Sequence, residues 1–479
     1  MNRSTTPQSR LLALNPYLWM VATILVVVVI IALTFTGVLA QDQITRGVFP
    51  ERAGVTALYF LAVFGLPWAI SRPEIKVRRW LPWGAAALTL FTVLGAITLW
   101  WLDRWGLGYQ WIQSLKVVTA PYGWGDLKLY FDWLVCYQDG INPITAANGT
   151  CVAEQMNYGP GFLWWAPLAF LRPAMDVIGV ATAVLCALAI AWLVRRSAPW
   201  GAIALLIAAV SPAWILLVER ANFDELIIWM AILLVVMTRR FSGLWPWIVG
   251  AVLILILGTW KYYPFAMVLA LIPVLRLRRG WMVITGFLLA AVAYVLVYWN
   301  VAIGGMGTHM GKEGGVGRNT LAAFPAGLAT PAKGFVWADS LVFLLLLFAA
   351  VWGASIALRL SHRKIAALET RAMLAVSGAA AILGSVTLAG SGYSYKAALL
   401  LLGVPLLAAL VHIDHPWAWR SGLTTLGGTL VAIFVEWNPL ASSAAVHMVA
   451  AFLLGLSLGV LLRGSPLNRM QTSPINDPP

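Results

Sequence analysis

The stretch ATAVLCALAIAWLVRRSAPWGAIALLIAAVSPAWILLVERANFDELIIWMAILLVVMTRR, residues 181–240, decides the fold. It holds most of three apolar runs, expected at 174–194, 200–218 and 225–239, parted by short charged breaks. Apolar runs of about 17 to 25 residues cross the hydrocarbon core as helices, because no water is present there to satisfy an open backbone. The breaks alternate in character. Arg195-Arg196 and Arg239-Arg240 lie at one end of the runs, while Glu219, Arg220, Asn222, Asp224 and Glu225 crowd the other.

The same pattern extends through the whole chain. Its 479 residues are 61% hydrophobic and only 10% charged, against roughly a quarter charged in an average soluble protein. About fourteen transmembrane helices are expected, the others at 18–40, 55–71, 81–102, 244–259, 262–277, 281–300, 336–359, 370–389, 397–412, 421–436 and 445–462. The fold class is therefore an all-α polytopic membrane protein. The first run follows Arg3 and Arg10 and ends in GVLA before Gln41, like a signal-peptide cleavage site. Its apolar part exceeds the usual length of about 7 to 15 residues, which favours an uncleaved anchor.

Charge tests this arrangement independently. With the N-terminus in the cytoplasm, the net +14 divides into +16 inside and −2 outside. The clusters RPEIKVRR, RR, TRR, RLRR and RLSHRK all fall on one face, as the positive-inside rule requires. Both termini are expected in the cytoplasm of a multi-pass cell-membrane protein. The high basicity is thus topological, and no nucleic-acid partner is implied. Membrane lipids are the expected neighbours.

Two outer loops are long enough to carry chemistry. The first, 103–172, is too polar to cross lipid, yet WIQSLKVV and GFLWWAPLAFL suit the interface. Trp100, Trp101, Trp105, Trp111, Trp124, Trp164 and Trp165 fit an aromatic belt at headgroup depth. Cys136 and Cys151 both fall in this loop, where a disulfide and two unpaired thiols are both open; Cys186 lies within a span. The second loop, 301–335, contains GGMGTHMGKEGGVGRN. Glu313 stands where a phosphate-binding loop needs Ser or Thr, so ATP binding is excluded. His309, Lys312 and Arg318 are candidate contacts if the loop orders over a substrate, although a simple connector is favoured. The tail, 463–479, has a disordered composition.

Polar residues at the outer span ends supply the candidate site. In YGWGDLKLYFDW, residues 122–133, Asp126 and Tyr130 share a helical face, while Asp132 has Lys128 four residues before it as an ion-pair partner. Asp126 has no such local partner, so it is either a helix N-cap or a base. Arg220 and Asp224 are spaced to pair at i, i+4, and Lys261 is placed to snorkel to the interface. Tyr262 follows Lys261, and Tyr395 with Lys396 closes another outer span end. A carboxylate beside several cations suits proton abstraction next to an anionic leaving group. No metal-ligand spacing appears.

These residues, in this order, resemble glycosyltransferase family 87, multi-spanning GT-C enzymes that use polyprenyl-phosphate sugars, often mannose. The elements are Asp126 with Tyr130, Asn142-Pro143, Tyr158-Gly159-Pro160, Arg220-Ala221-Asn222 and Lys261-Tyr262-Tyr263-Pro264. The family pattern has Pro where Gly159 stands and Gly where Ala221 stands. The resemblance covers roughly 81–412, leaving 1–80 as an N-terminal helix pair and 413–462 as C-terminal helices. It implies an extracytoplasmic site in which Asp126 deprotonates an acceptor hydroxyl of a lipid or glycan. A hexose or pentose, mannose among them, would be transferred with inversion, and Arg220 and Lys261 would hold the departing polyprenyl phosphate. The resemblance implies no cofactor besides that donor. A membrane transporter or lipid flippase with a cationic outer cavity is the alternative.

Overall fold

The computed structural model describes residues 78–103, 124–146, 151, 156, 158–298, 336–388, 394–434 and 439–464. The expected spans 18–40 and 55–71, the loop residues His309, Lys312 and Arg318, and the tail beyond 464 lie outside the described residues. Within them the chain is helical and carries no strand. The α-helices are α1 (Leu81–Asp103), α2 (Gly125–Gln138), α3 (Met175–Arg196), α4 (Pro199–Ala208), α5 (Pro212–Glu219), α6 (Asp224–Arg240) and α7 (Trp245–Lys261). They continue as α8 (Gly280–Val297), α9 (Val336–Arg359), α10 (His362–Leu388), α11 (Val404–Val411), α12 (Pro416–Ile433) and α13 (Pro439–Arg463). Three segments, Pro160–Ala174, Tyr263–Arg276 and Ser394–Gly403, wind as tighter 3-10 helices.

Several helices are long and apolar enough to cross a membrane: Pro160–Arg196, Gly280–Val297, His362–Ser385 and Ala445–Arg463, with α4 and α5 together as a fifth. Their surroundings differ. In α10, 78% of the most apolar window is buried inside the protein, whereas in α8 only 22% is. So α10 is the central post and α8 a peripheral one. On α3 the exposed residues Val177, Val180, Val184 and Leu188 recur at helical spacing, opposite the buried Ala183, Cys186, Ala187 and Ile190. An apolar outer face of this kind fits lipid. Close helix contact in the interior relies on small residues: a Cβ on Gly455 of α13 would sit 1.9 Å from the carbonyl oxygen of Ala350 on α9.

Helices stand at each expected span that falls on described residues, with four differences. The run at 397–412 is the 3-10 segment Ser394–Gly403 followed by α11. The run at 200–218 is two helices bent by 60°. Pro212 lacks an amide hydrogen and holds Ser211 extended, and the Ser211 hydroxyl then caps α5 by accepting from the Trp214 amide at 3.3 Å. The run at 262–277 is a 3-10 helix, Tyr263–Arg276, with Pro264 in its first turn and Pro273 inside it. At about 2 Å per residue, its 14 residues reach about 28 Å, further than an α-helix of that length. Finally, the apolar GFLWWAPLAFL belongs to Pro160–Ala174, which runs straight into α3, rather than to a separate interfacial element.

Candidate functional site

The site forms where α2 meets the turn between α5 and α6. Helix α2 begins at Gly125 after Trp124, whose φ of 58° is left-handed. Asp126 is therefore the second helical residue and not the N-cap. Its position in the first turn still places a negative charge at the positive end of the helix. The amides of Asp126 and Leu127 donate to the Arg220 carbonyl at 3.2 and 3.3 Å, so the turn itself closes the start of α2.

The expectation of an unpaired Asp126 is corrected here. Arg220 Nε lies 3.2 Å from Asp126 Oδ1, and Asn222 Nδ2 donates to Oδ2. Arg220 consequently does not pair with Asp224, although the spacing allows it. Asp224 is fully buried and takes Lys261 instead, at 2.7 Å, together with the hydroxyl of Tyr263. Lys261 turns inward rather than snorkelling and also donates to Asn222 Oδ1 at 2.7 Å. The desolvation of a buried charge is repaid only by close pairing, which is why Lys261 and Asp224 meet across 37 residues. Asn222 stands between the two ion pairs, receiving from Lys261 and giving to Asp126. Its Oδ1 also accepts the Asp224 amide at 2.9 Å.

Aromatic rings wall this network. Tyr130 stacks on Phe223, with ring centroids 4.1 Å apart, and shares a 2.7 Å hydrogen bond with the Tyr158 hydroxyl. The Tyr158 ring lies 4.8 Å from Lys261 Nζ, a cation–π contact. Burial, followed by the charge of Asp126, raises the Tyr130 hydroxyl well above its usual range. Burial, followed by Tyr130 and then Asp126, does the same for Tyr158. Both phenols therefore remain neutral. Tyr395 is buried within electrostatic range of Asp126, Asp224 and Arg220. Lys396 Nζ lies 4.8 Å from the Tyr263 ring.

Helix α2 is fastened at its far end as well. Cys136 and Cys151 are joined by a disulfide, and Gln138 Nε2 donates to the Ala166 carbonyl at 2.7 Å. Asp132 pairs with Lys128 at 2.6 Å, as the spacing predicts, and with Arg172 at 2.5 Å. Gly159 is tightly fitted: its amide donates to the Trp260 carbonyl at 2.7 Å, and a Cβ there would sit 2.2 Å from the Thr259 oxygen. No side chain fits at that position.

Of the candidate residues, Asp126, Tyr130, Tyr158, Arg220, Asn222, Lys261, Tyr395 and Lys396 gather in one place. Tyr262 does not join them; its ring faces Tyr294 at 6.1 Å, and its neighbour Tyr263 supplies the hydroxyl instead. Asp224, Tyr263 and Glu219 are not among the candidate site residues that the sequence supplies, although Asp224 is offered there as a partner for Arg220. Glu219 is buried beside Arg220 and Asp126, and its Oε2 has no hydrogen-bond partner among the described residues. The density of charge in ERANFDE was the signal that marks this turn as more than a connector. Comparison with protein-family models, with curated proteins and with solved structures finds no match for this chain.

Proposed function

We propose that the chain is a membrane glycosyltransferase of GT-C type that moves a sugar from a polyprenyl-phosphate donor to a lipid or glycan hydroxyl on the extracytoplasmic side. One observation carries the proposal: Asp126 is held by two groups from the α5–α6 turn and yet remains reachable, with 13% of its side chain exposed beside an Arg220 that is 25% exposed. Lys261 and Asp224, at 6% and 0%, are not reachable. The exposed pair thus meets substrate, and the buried pair positions it.

A carboxylate has about four lone-pair sites, so Asp126 can hold Arg220 and Asn222 and still accept a proton. The acceptor hydroxyl gives its proton to Asp126 while its oxygen bonds to the anomeric carbon from the face opposite the phosphate. The bond from that carbon to the phosphate oxygen breaks, and its electron pair leaves with the polyprenyl phosphate. Arg220 binds that phosphate through its planar fork. Around the site, the cations Arg220, Lys261 and Lys396 face the carboxyl groups of Asp126, Asp224 and Glu219, and Arg220, the most exposed of the three cations, is the one placed to meet an anionic leaving group. The fold expected for this activity is a bundle of about fourteen spans, with 81–412 as the catalytic core.

The 60° bend between α4 and α5, the short helix whose far end at Glu219 leads into the site, favours a second reading. Interrupted helices beside charged groups are a device of transporters. Purified protein given labelled polyprenyl-phosphate mannose and membrane lipid separates the two. Transfer is expected in the wild type, with a loss of about 10²- to 10⁴-fold in Asp126→Asn. Undiminished transfer in the variant removes Asp126 as base. Absence of transfer, with uptake of the same donor into vesicles, replaces the enzyme by the transporter.

A further inference from the structure

Tyr262 lies between two residues that turn away from it. Lys261 ends α7, Tyr263 opens the next segment, and both reach Asp224. Sending these neighbours to one carboxylate reverses the chain at Tyr262, where φ is 58° and ψ is −52°. That backbone is strained for a residue with a Cβ, and glycine would hold it with less strain. The Tyr262 side chain is nonetheless buried, and its hydroxyl has no hydrogen-bond partner among the described residues. Phenylalanine would pack the same ring without stranding a hydroxyl. The polar atom is therefore the part that packing does not explain.

The Tyr262 ring belongs to a cluster of its own kind. It lies 6.1 Å from the Tyr294 ring, and the Tyr298 ring lies 5.0 Å from Tyr294. The central hydroxyl is fully engaged: Tyr294 accepts the Gly161 amide at 2.9 Å and donates to the Thr259 carbonyl at 2.7 Å. Tyr294 is thus a fixed post with a phenol on either side. The cluster opens outward, since Tyr298 is half-buried at the end of α8 and Trp164, 6.3 Å from the Tyr294 ring, is 62% exposed. An aromatic belt at headgroup depth accounts for Trp164 and Tyr298, but not for the buried hydroxyl of Tyr262. A lipid chain offers that hydroxyl no partner, and a phosphate calls for a cation. The nearby cations are turned elsewhere, Lys261 to Asp224 and Lys396 to the Tyr263 ring.

We propose that Tyr262 and Tyr298, on either side of Tyr294, form a subsite for a neutral sugar ring. A sugar has apolar C–H faces and an edge of hydroxyls, and tyrosine offers an apolar ring with a polar tip. Tyr262 follows Lys261, whose ammonium reaches Asp126 through Asn222, so the subsite adjoins the candidate site. The sugar is one carried by the acceptor, an assignment that rests on the transferase reading and makes the acceptor a glycan or glycolipid. The full chain, in a detergent without a sugar headgroup, is titrated with trisaccharides of mannose, glucose and galactose and read by equilibrium dialysis. At least one is expected to bind the wild type, and to bind Y262F and Y298F each about fivefold more weakly, as the loss of one hydrogen bond implies. The melting temperature of Y262F is expected to hold or rise, because the stranded hydroxyl is gone. No binding of any trisaccharide, undiminished binding by Y262F, or a fall in its melting temperature overturns the proposal. Trisaccharide binding without transfer from polyprenyl-phosphate mannose supports the subsite and counts against the transferase. Transfer to a sugar-free lipid alcohol, with no trisaccharide bound, removes the subsite and leaves the transferase standing.

Discussion

Lys261 and Asp224 form a buried ion pair whose two members are anchored on separate helices and joined by Asn222 to the exposed Asp126. Removing one member strands the other. Lys261→Met leaves Asp224 fully buried with a negative charge and only the Tyr263 hydroxyl as a strong partner, which costs about 3–5 kcal/mol. In Lys261→Met/Asp224→Asn both charges are gone, and the pair is expected to be less destabilising than the sum of the singles by about 0.5–3 kcal/mol. Thermal unfolding in detergent measures both, and strict additivity would show that the two charges do not meet. The sequence points elsewhere for each residue because each has a nearer alternative: Lys261 ends an apolar run beside the interface, and Asp224 follows Arg220 by one helical turn. Local spacing ranks those alternatives first. Burial reverses the ranking, since only the long-range pair neutralises two desolvated charges at once.

At the scale of elements, the reversal between α5 and α6 is what brings Arg220 and Asn222 to Asp126. It turns on Ala221, buried and held at φ 46°. A left-handed backbone costs an L-residue about 1–2 kcal/mol, whereas a glycine adds about 0.4–1 kcal/mol of unfolded-chain entropy. The first term is larger, so Ala221→Gly is expected to stabilise the protein by about 0.5–1 kcal/mol and to raise its melting temperature in detergent. A fall in melting temperature would mean that the alanine methyl packs too well to give up. Most elements were legible because hydrophobic length sets them: α1, α3, α6, α8 and α13 stand where apolar runs stand. The breaks were less so. Pro212 looks tolerable inside an apolar run, and only the cap that Ser211 forms shows that the helix restarts there. Likewise, the cradle around Gly159 depends on the Thr259 carbonyl, a backbone atom a hundred residues away that leaves no trace in side-chain pattern.

For the molecule as a whole, charge decides which way the bundle faces. Asp126 with Arg220 lies at the start of α6, and Arg239-Arg240 with Arg371 at its other end, so one orientation sends the candidate site outward and the arginines inward. Lys and Arg resist translocation, and their excess over short loops sets topology. The break between α6 and α7 carries Arg239 and Arg240 and no acid, while α2 and its flanks carry Asp126, Asp132 and Asp139. The proposed topology puts the first in the cytoplasm and the second outside. Two exposed positions test the assignment, Asp139 after α2 and Ser242 after α6. In a background where the buried Cys186 is alanine and the Cys136–Cys151 bridge is oxidised, Asp139→Cys is expected to react with a membrane-impermeant maleimide in intact cells. Ser242→Cys is expected to react only after permeabilisation. The reverse pattern would place Asp126 in the cytoplasm, where an extracytoplasmic polyprenyl-phosphate donor cannot reach it, and the proposed reaction would lose its substrate even with every hydrogen bond of the site intact.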